Sequence, residues 1–149
     1  MRTGGSVQLD APARSLWARL SDPRALEDAL PSVDSVELLS ADRFAARVQP
    51  ATGLGTTPLH LEVTIADARE PEHVRLAGTG EGGEFATTFA VELDLSEHGN
   101  GTEVRWSAEA HVDGVLSSLG QRVLPAILAA QVERVLRAAA DQAAQPASA

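Results

Sequence analysis

Apolar and polar residues alternate through most of this chain, and the period changes only near its two ends. Ser6 to Asp10 puts Val7 and Leu9 on one face and reads as a short first strand. Ala11-Pro12 stops it, and Pro12 suits the first turn of a helix, where its missing N–H costs nothing. Leu16, Trp17 and Leu20 then share one side of that helix. Ser21-Asp22-Pro23 breaks it and opens a second short helix through Leu26 and Leu30, which ends before Pro31.

From Val33 to Val112 the period is two. Val36 and Leu38 alternate, Ala41-Asp42 turns the chain, and Phe44, Ala46 and Val48 alternate next. After a loop over Pro50–Pro58, Leu59, Leu61, Val63 and Ile65 form another run. Glu70-Pro71-Glu72 is a turn; Val74, Leu76 and Gly78 follow it. Gly80-Glu81-Gly82-Gly83 reads as a glycine-rich, bulged turn. Phe85, Thr87, Phe89, Val91, Leu93 and Leu95 make one long strand. His98-Gly99-Asn100-Gly101 is a hairpin turn, with Asn-Gly expected to take the positive φ angles. Val104, Trp106, Ala108, Ala110 and Val112 face one side of the last strand. Beyond Gly114 the period lengthens to three and four: Val115, Leu116, Leu119, Val123, Ile127, Val132, Val135 and Leu136. A helix of about 27 residues would be about 40 Å long, enough to cross a sheet. Asp113 is the expected cap, with a competing capping box at Ser118 and Gln121, and Pro125 should bend the helix.

These elements predict an α+β fold: a curved antiparallel sheet of six to seven strands wrapped around a long C-terminal helix, with two short helices after strand one. The sheet's apolar face needs a cover, and the long helix supplies it. Residues 1–140 are expected to form a single domain and 141–149 a flexible tail.

Composition narrows the functions available. The chain has 149 residues, a formal net charge of −9 and no cysteine. An acidic chain repels phosphate, which argues against nucleic-acid binding. With no thiol there is no disulfide, cysteine nucleophile or cysteine-held metal. The longest apolar run is far short of the roughly 20 residues of a spanning helix, and Met1-Arg2-Thr3-Gly4-Gly5 has no apolar signal core. The expectation is a soluble, cytoplasmic protein.

Several segments carry a family resemblance. Val7-Gln8-Leu9-Asp10-Ala11-Pro12 with Leu16-Trp17, Leu20, Asp22-Pro23, Leu26 and Leu30-Pro31 is one. Gly78-Thr79-Gly80-Glu81-Gly82 is another. Gly101-Thr102-Glu103-Val104, Trp106-Ser107-Ala108, Val112-Asp113-Gly114-Val115-Leu116 and Leu119-Gly120-Gln121-Arg122 complete the set. Together they resemble the G-subunit family of carbon monoxide dehydrogenase within the START-like (SRPBCC) superfamily. The resemblance implies the helix-grip fold and an apolar cavity between sheet and helix. It implies a hydrophobic small-molecule partner, lipid or quinone-like, and an association with a molybdenum hydroxylase. Family members often carry a C-terminal extension that contacts membrane. This chain stops soon after the helix, so peripheral membrane contact stays open here.

The strand positions expected to line the cavity are Phe44, Leu61, Val63, Leu76, Thr87, Phe89, Val91, Trp106 and Ala108. The helix positions are Leu116, Leu119, Gly120, Val123 and Ile127. Two readings of this set stand side by side: cavity wall, or filled core. Thr87 could bond a ligand carbonyl or be occupied by backbone. His60, His73, His98 and His111 read as solvated, with no spacing for a metal site. Glu109 and His111 share a face, as a general-base pair would, but with Arg105 they fall on the polar face. The glycines near Gly80 do not lead from a strand into a helix, so they are not a phosphate loop. Gly53-Leu54-Gly55 could gate a cavity mouth or contact a partner. Glu133 and Arg137 are a solvated pair.

The leading expectation is a non-catalytic ligand-binding or accessory protein, with no cofactor. The alternatives are a cavity enzyme of polyketide cyclase or hydrolase type, and an assembly factor for a molybdenum hydroxylase that works through its surface near Leu54.

Overall fold

The computed structural model describes residues 2–29, 33–49, 58–82, 85–114 and 120–144. The strands are β1 (Arg2–Leu9), β2 (Val33–Ser40), β3 (Arg43–Val48), β4 (Leu59–Arg69), β5 (His73–Gly82), β6 (Phe85–His98) and β7 (Gly101–Gly114). They form one antiparallel sheet in the order β1-β7-β6-β5-β4-β3-β2. Six consecutive strands thus make a meander, and the first strand returns to pair with the last. Helices α1 (Ala13–Leu20) and α2 (Pro23–Ala29) follow β1, and α3 (Gly120–Ala144) follows β7.

Local chemistry explains the element ends. Pro23 opens α2, and the Asp22 carboxylate accepts the Arg24 backbone N–H at 3.0 Å, the use of an aspartate at a helix start that the sequence suggests. The β6–β7 register pairs His98 with Gly101, so the two-residue turn is Gly99-Asn100. Gly99 has φ 64°, so the positive φ falls one residue or more earlier than the expected Asn-Gly pair. Asp113 is no helix cap: it lies in β7, with its carboxylate 3.2 Å from His111 Nε2. Ser118 and the loop at Leu54 lie outside the described residues. Residues 80–82 belong to β5 rather than to a turn. The long helix runs on to Ala144, four residues past the expected end of the domain, and Arg19 donates to the Gln142 side chain at 3.4 Å.

Register fixes which side chains share the inner face. Gly5, Trp106, Leu93 and Val74 form one row; Ala108, Val91, Leu76 and Ile65 form the next. Ala110, Phe89, Gly78, Val63 and Phe44 make a third, and Val112, Thr87, Gly80, Leu61 and Ala46 a fourth. One end of this face is closed. There Val132, Leu136, Ala139 and Ala140 of α3 are buried, and α3 packs on β1, α1 and α2. The Thr102 hydroxyl, fully buried, donates to the Ala11 carbonyl at 2.6 Å. Trp17 Nε1 donates to the His73 carbonyl at 3.0 Å. These two bonds tie the start of α1 to β7 and its body to β5.

Candidate ligand site

The inner face is not covered evenly. On β3, Phe44, Ala46 and Val48 are buried, and on β7 so are Trp106, Ala108 and Ala110. Between them, on β4, β5 and β6, Leu59, Leu61, Ile65, Leu76 and Phe89 are only partly buried. The apolar floor is therefore accessible along its middle and sealed along both flanks. Val63 and Val91 belong to this floor and are buried.

Glycines shape the floor. Gly78, Gly80 and Gly82 sit two apart on one strand, so all three face inward. A Cβ on Gly78 would lie 2.6 Å from Phe89 Cζ, one on Gly80 2.9 Å from Leu61 Cδ2, and one on Gly82 2.6 Å from Leu59 Cδ2. Side chains of β4 and β6 thus lean over β5 into space that these glycines leave. Replacing the expected bulged turn, this stripe was visible in the sequence as a period-two run continuing Val74 and Leu76. Its meaning, a trough for neighbouring side chains, needs the register.

The other expected positions divide. The Thr87 hydroxyl donates to the His111 carbonyl at 2.9 Å and is thereby occupied by backbone. Leu116 and Leu119 lie outside the described residues; Gly120, Val123 and Ile127 fall within α3, with side chains also outside them. Arg105, Glu109 and His111 are exposed on the outer face, where Arg2 donates to Glu109 at 3.1 Å and Arg105 to Glu103 at 3.0 Å.

His73 departs from expectation. It is buried, with Nδ1 2.8 Å from Asp94 Oδ1 and Nε2 3.9 Å from Asp67 Oδ2. Its ring lies between Asp94 of β6 and Asp67 of β4, on the face opposite Val74. Among the described residues no group of three or more His, Asp and Glu side chains could hold a metal ion, and no helix is long and apolar enough to cross a membrane. A second concavity, on the outer face, is lined by Arg2, Arg75, Glu92, Ser107 and Glu109. Its charges pair with one another across the strands.

Sequence reading also missed the state of the Trp106 indole. Its Nε1 is buried and, among the described residues, has no hydrogen-bond partner.

A seven-stranded sheet gripping a C-terminal helix, with two short helices after the first strand, defines the START-like helix-grip class. Solved structures share it. A conserved protein from Geobacillus kaustophilus is similar with a TM-score of 0.87 and 23% identity, over 97% of this chain and 95% of that one. A START superfamily protein from Mycobacterium smegmatis is similar with a TM-score of 0.70 and 13% identity, over 95% and 97%. Truncated norcoclaurine synthase from Thalictrum flavum is similar with a TM-score of 0.66 and 12% identity, over 98% and 94%. Curated proteins give no significant match. The model of the CoxG family, named for the G component of carbon monoxide dehydrogenase, matches residues 5–144. The chain belongs to that family.

Proposed function

We propose that this chain is a non-catalytic binding protein that holds an apolar small molecule, lipid or quinone-like, between its sheet and α3. The observation that carries the reading is the accessible apolar floor on β4–β6, bounded by buried flanks. A filled core would bury Leu61, Leu76 and Phe89 as fully as it buries Leu93. The outward position of Arg105, Glu109 and His111 supports binding over catalysis, although norcoclaurine synthase shares the fold. The family's name supports an accessory role beside a carbon monoxide dehydrogenase, the molybdenum hydroxylase suggested by the sequence.

Native mass spectrometry of gently purified protein, followed by titration with menaquinone and with a fatty acid, tests this. The expected result is a co-purified apolar species or one-to-one binding of an added one. An empty protein that binds neither would overturn it.

A further inference from the structure

We propose that the Trp106 indole N–H is the polar anchor of the ligand site, so that the ligand carries an oxygen acceptor on an otherwise apolar body. This rests on the binding reading above and narrows it to a chemical class: carbonyl-bearing apolar molecules rather than plain hydrocarbons.

Trp106 is 4% exposed on the inner face. Its neighbours in register are Gly5 on one side and Leu93 on the other, and Val104 and Ala108 flank it along β7. None of these side chains offers an acceptor, and the indole nitrogen can only donate. Among the described residues Nε1 is left without a partner. Buried donors are nearly always paired, so an orphan in an apolar surface needs a reason.

A Cβ on Gly5 would lie 3.3 Å from Nε1 and 3.4 Å from both Cε2 and Cζ2. Near-equal distances to three adjoining ring atoms put Gly5 against the flat of the indole. The N–H lies in the ring plane, so it does not point at that Cβ position, and the ring itself lies on the inner face. The next row there holds Ala108, Val91 and Leu76. Ala108 is small, and Leu76 is part of the accessible floor. In this proposal the acceptor reaches the donor from that row, across Ala108.

The other tryptophan is an internal control. Trp17 Nε1 already donates to the His73 carbonyl, so it has no N–H to offer.

Two probes of matched shape separate the possibilities: 2-methyl-1,4-naphthoquinone, which has carbonyl acceptors, and 2-methylnaphthalene, which has none. In a 1H–15N spectrum of the full chain only two indole cross-peaks exist, because the chain has two tryptophans. The quinone should move the Trp106 indole proton downfield, the hydrocarbon should not, and Trp17 should stay in place. Trp106→Phe should weaken quinone binding by roughly two- to tenfold more than it weakens hydrocarbon binding, the worth of one neutral hydrogen bond. If both probes bind and Trp106 responds alike to each, or if Trp106→Phe binds both as before, the anchor is overturned and the binding reading survives. If neither probe binds the unaltered protein, the binding reading fails and the anchor with it. Should Trp106→Phe fail to fold, the cross-peak comparison in the unaltered protein still decides.

Discussion

At the α1 end of the inner face Val7, Leu9, Leu93, Val104 and Leu136 are no more than 5% exposed, whereas Leu59, Leu61, Leu76 and Phe89 on the middle strands are only half-buried. The residue types are the same. What differs is what stands over them: α1 and the C-terminal half of α3 close the first region, and the second keeps its apolar surface accessible. One region serves stability and the other is free to serve a ligand. Apolar alternation alone does not distinguish them, because each presents large apolar residues at period two.

The largest expected effect separates the two directly. Leu93→Ala removes a side chain packed on all sides and should cost about 2–5 kcal/mol, a fall in Tm of roughly 5–15 °C for a domain of this size. Leu61→Ala should cost less than about 1.5 kcal/mol, since less surface is removed from water, while weakening any apolar ligand. Thermal unfolding of both variants is the measurement. Equal losses would mean that the middle strands are ordinary core and that the contrast is false.

A smaller effect probes how the floor is shaped. Gly78 and Gly80 both face inward, but their surroundings give differently. A Cβ on Gly78 would press on the Glu62 carbonyl at 2.5 Å as well as on Phe89, whereas one on Gly80 meets methyl groups of Leu61 and Thr87 at 2.9 and 3.1 Å, with the backbone oxygen of His60 no nearer than 4.0 Å. Backbone cannot step aside as a methyl can. Gly78→Ala should therefore cost about 1–3 kcal/mol, and Gly80→Ala clearly less, with Leu61 displaced into the open floor. Urea titration of the pair would show this; a costlier Gly80→Ala would mean that the floor around Leu61 is rigid.

Much of this was legible in the residues. Alternation located all seven strands, the prolines at 12 and 23 marked the two short helices, and the parity of β7 put Trp106 and Ala108 inward with Glu109 and His111 outward. Three features were not legible, each for a physical reason. The closed and open ends differ only in tertiary cover. The glycines at 78, 80 and 82 look like a turn until the register shows Phe89, Leu61 and Leu59 leaning over them. His73 sits beside a turn in sequence, where solvent is the ordinary expectation, but Asp94 and Asp67 on the neighbouring strands flank its ring.

The smallest expected effect concerns the opposite side of the sheet. The outer face carries ion pairs that cross strands: Arg2 with Glu109, Arg75 with Glu92 at 2.9 Å, and Arg43 with Glu62. Both Arg75 and Glu92 side chains are more than two-fifths exposed, at 45% and 43%. Pairs in that setting are screened by water and typically contribute between about 0 and 1 kcal/mol. Arg75 also lines the outer concavity. Arg75→Ala should therefore shift the unfolding midpoint by no more than about 4 °C, and it should leave the binding of an apolar ligand where it was. Calorimetric titration of this variant beside Leu61→Ala asks which face holds the ligand. Loss of binding in Arg75→Ala with Leu61→Ala unaffected would move the site to the outer face. The accessible floor of β4–β6 would then be a gap in the packing with no bearing on ligand binding.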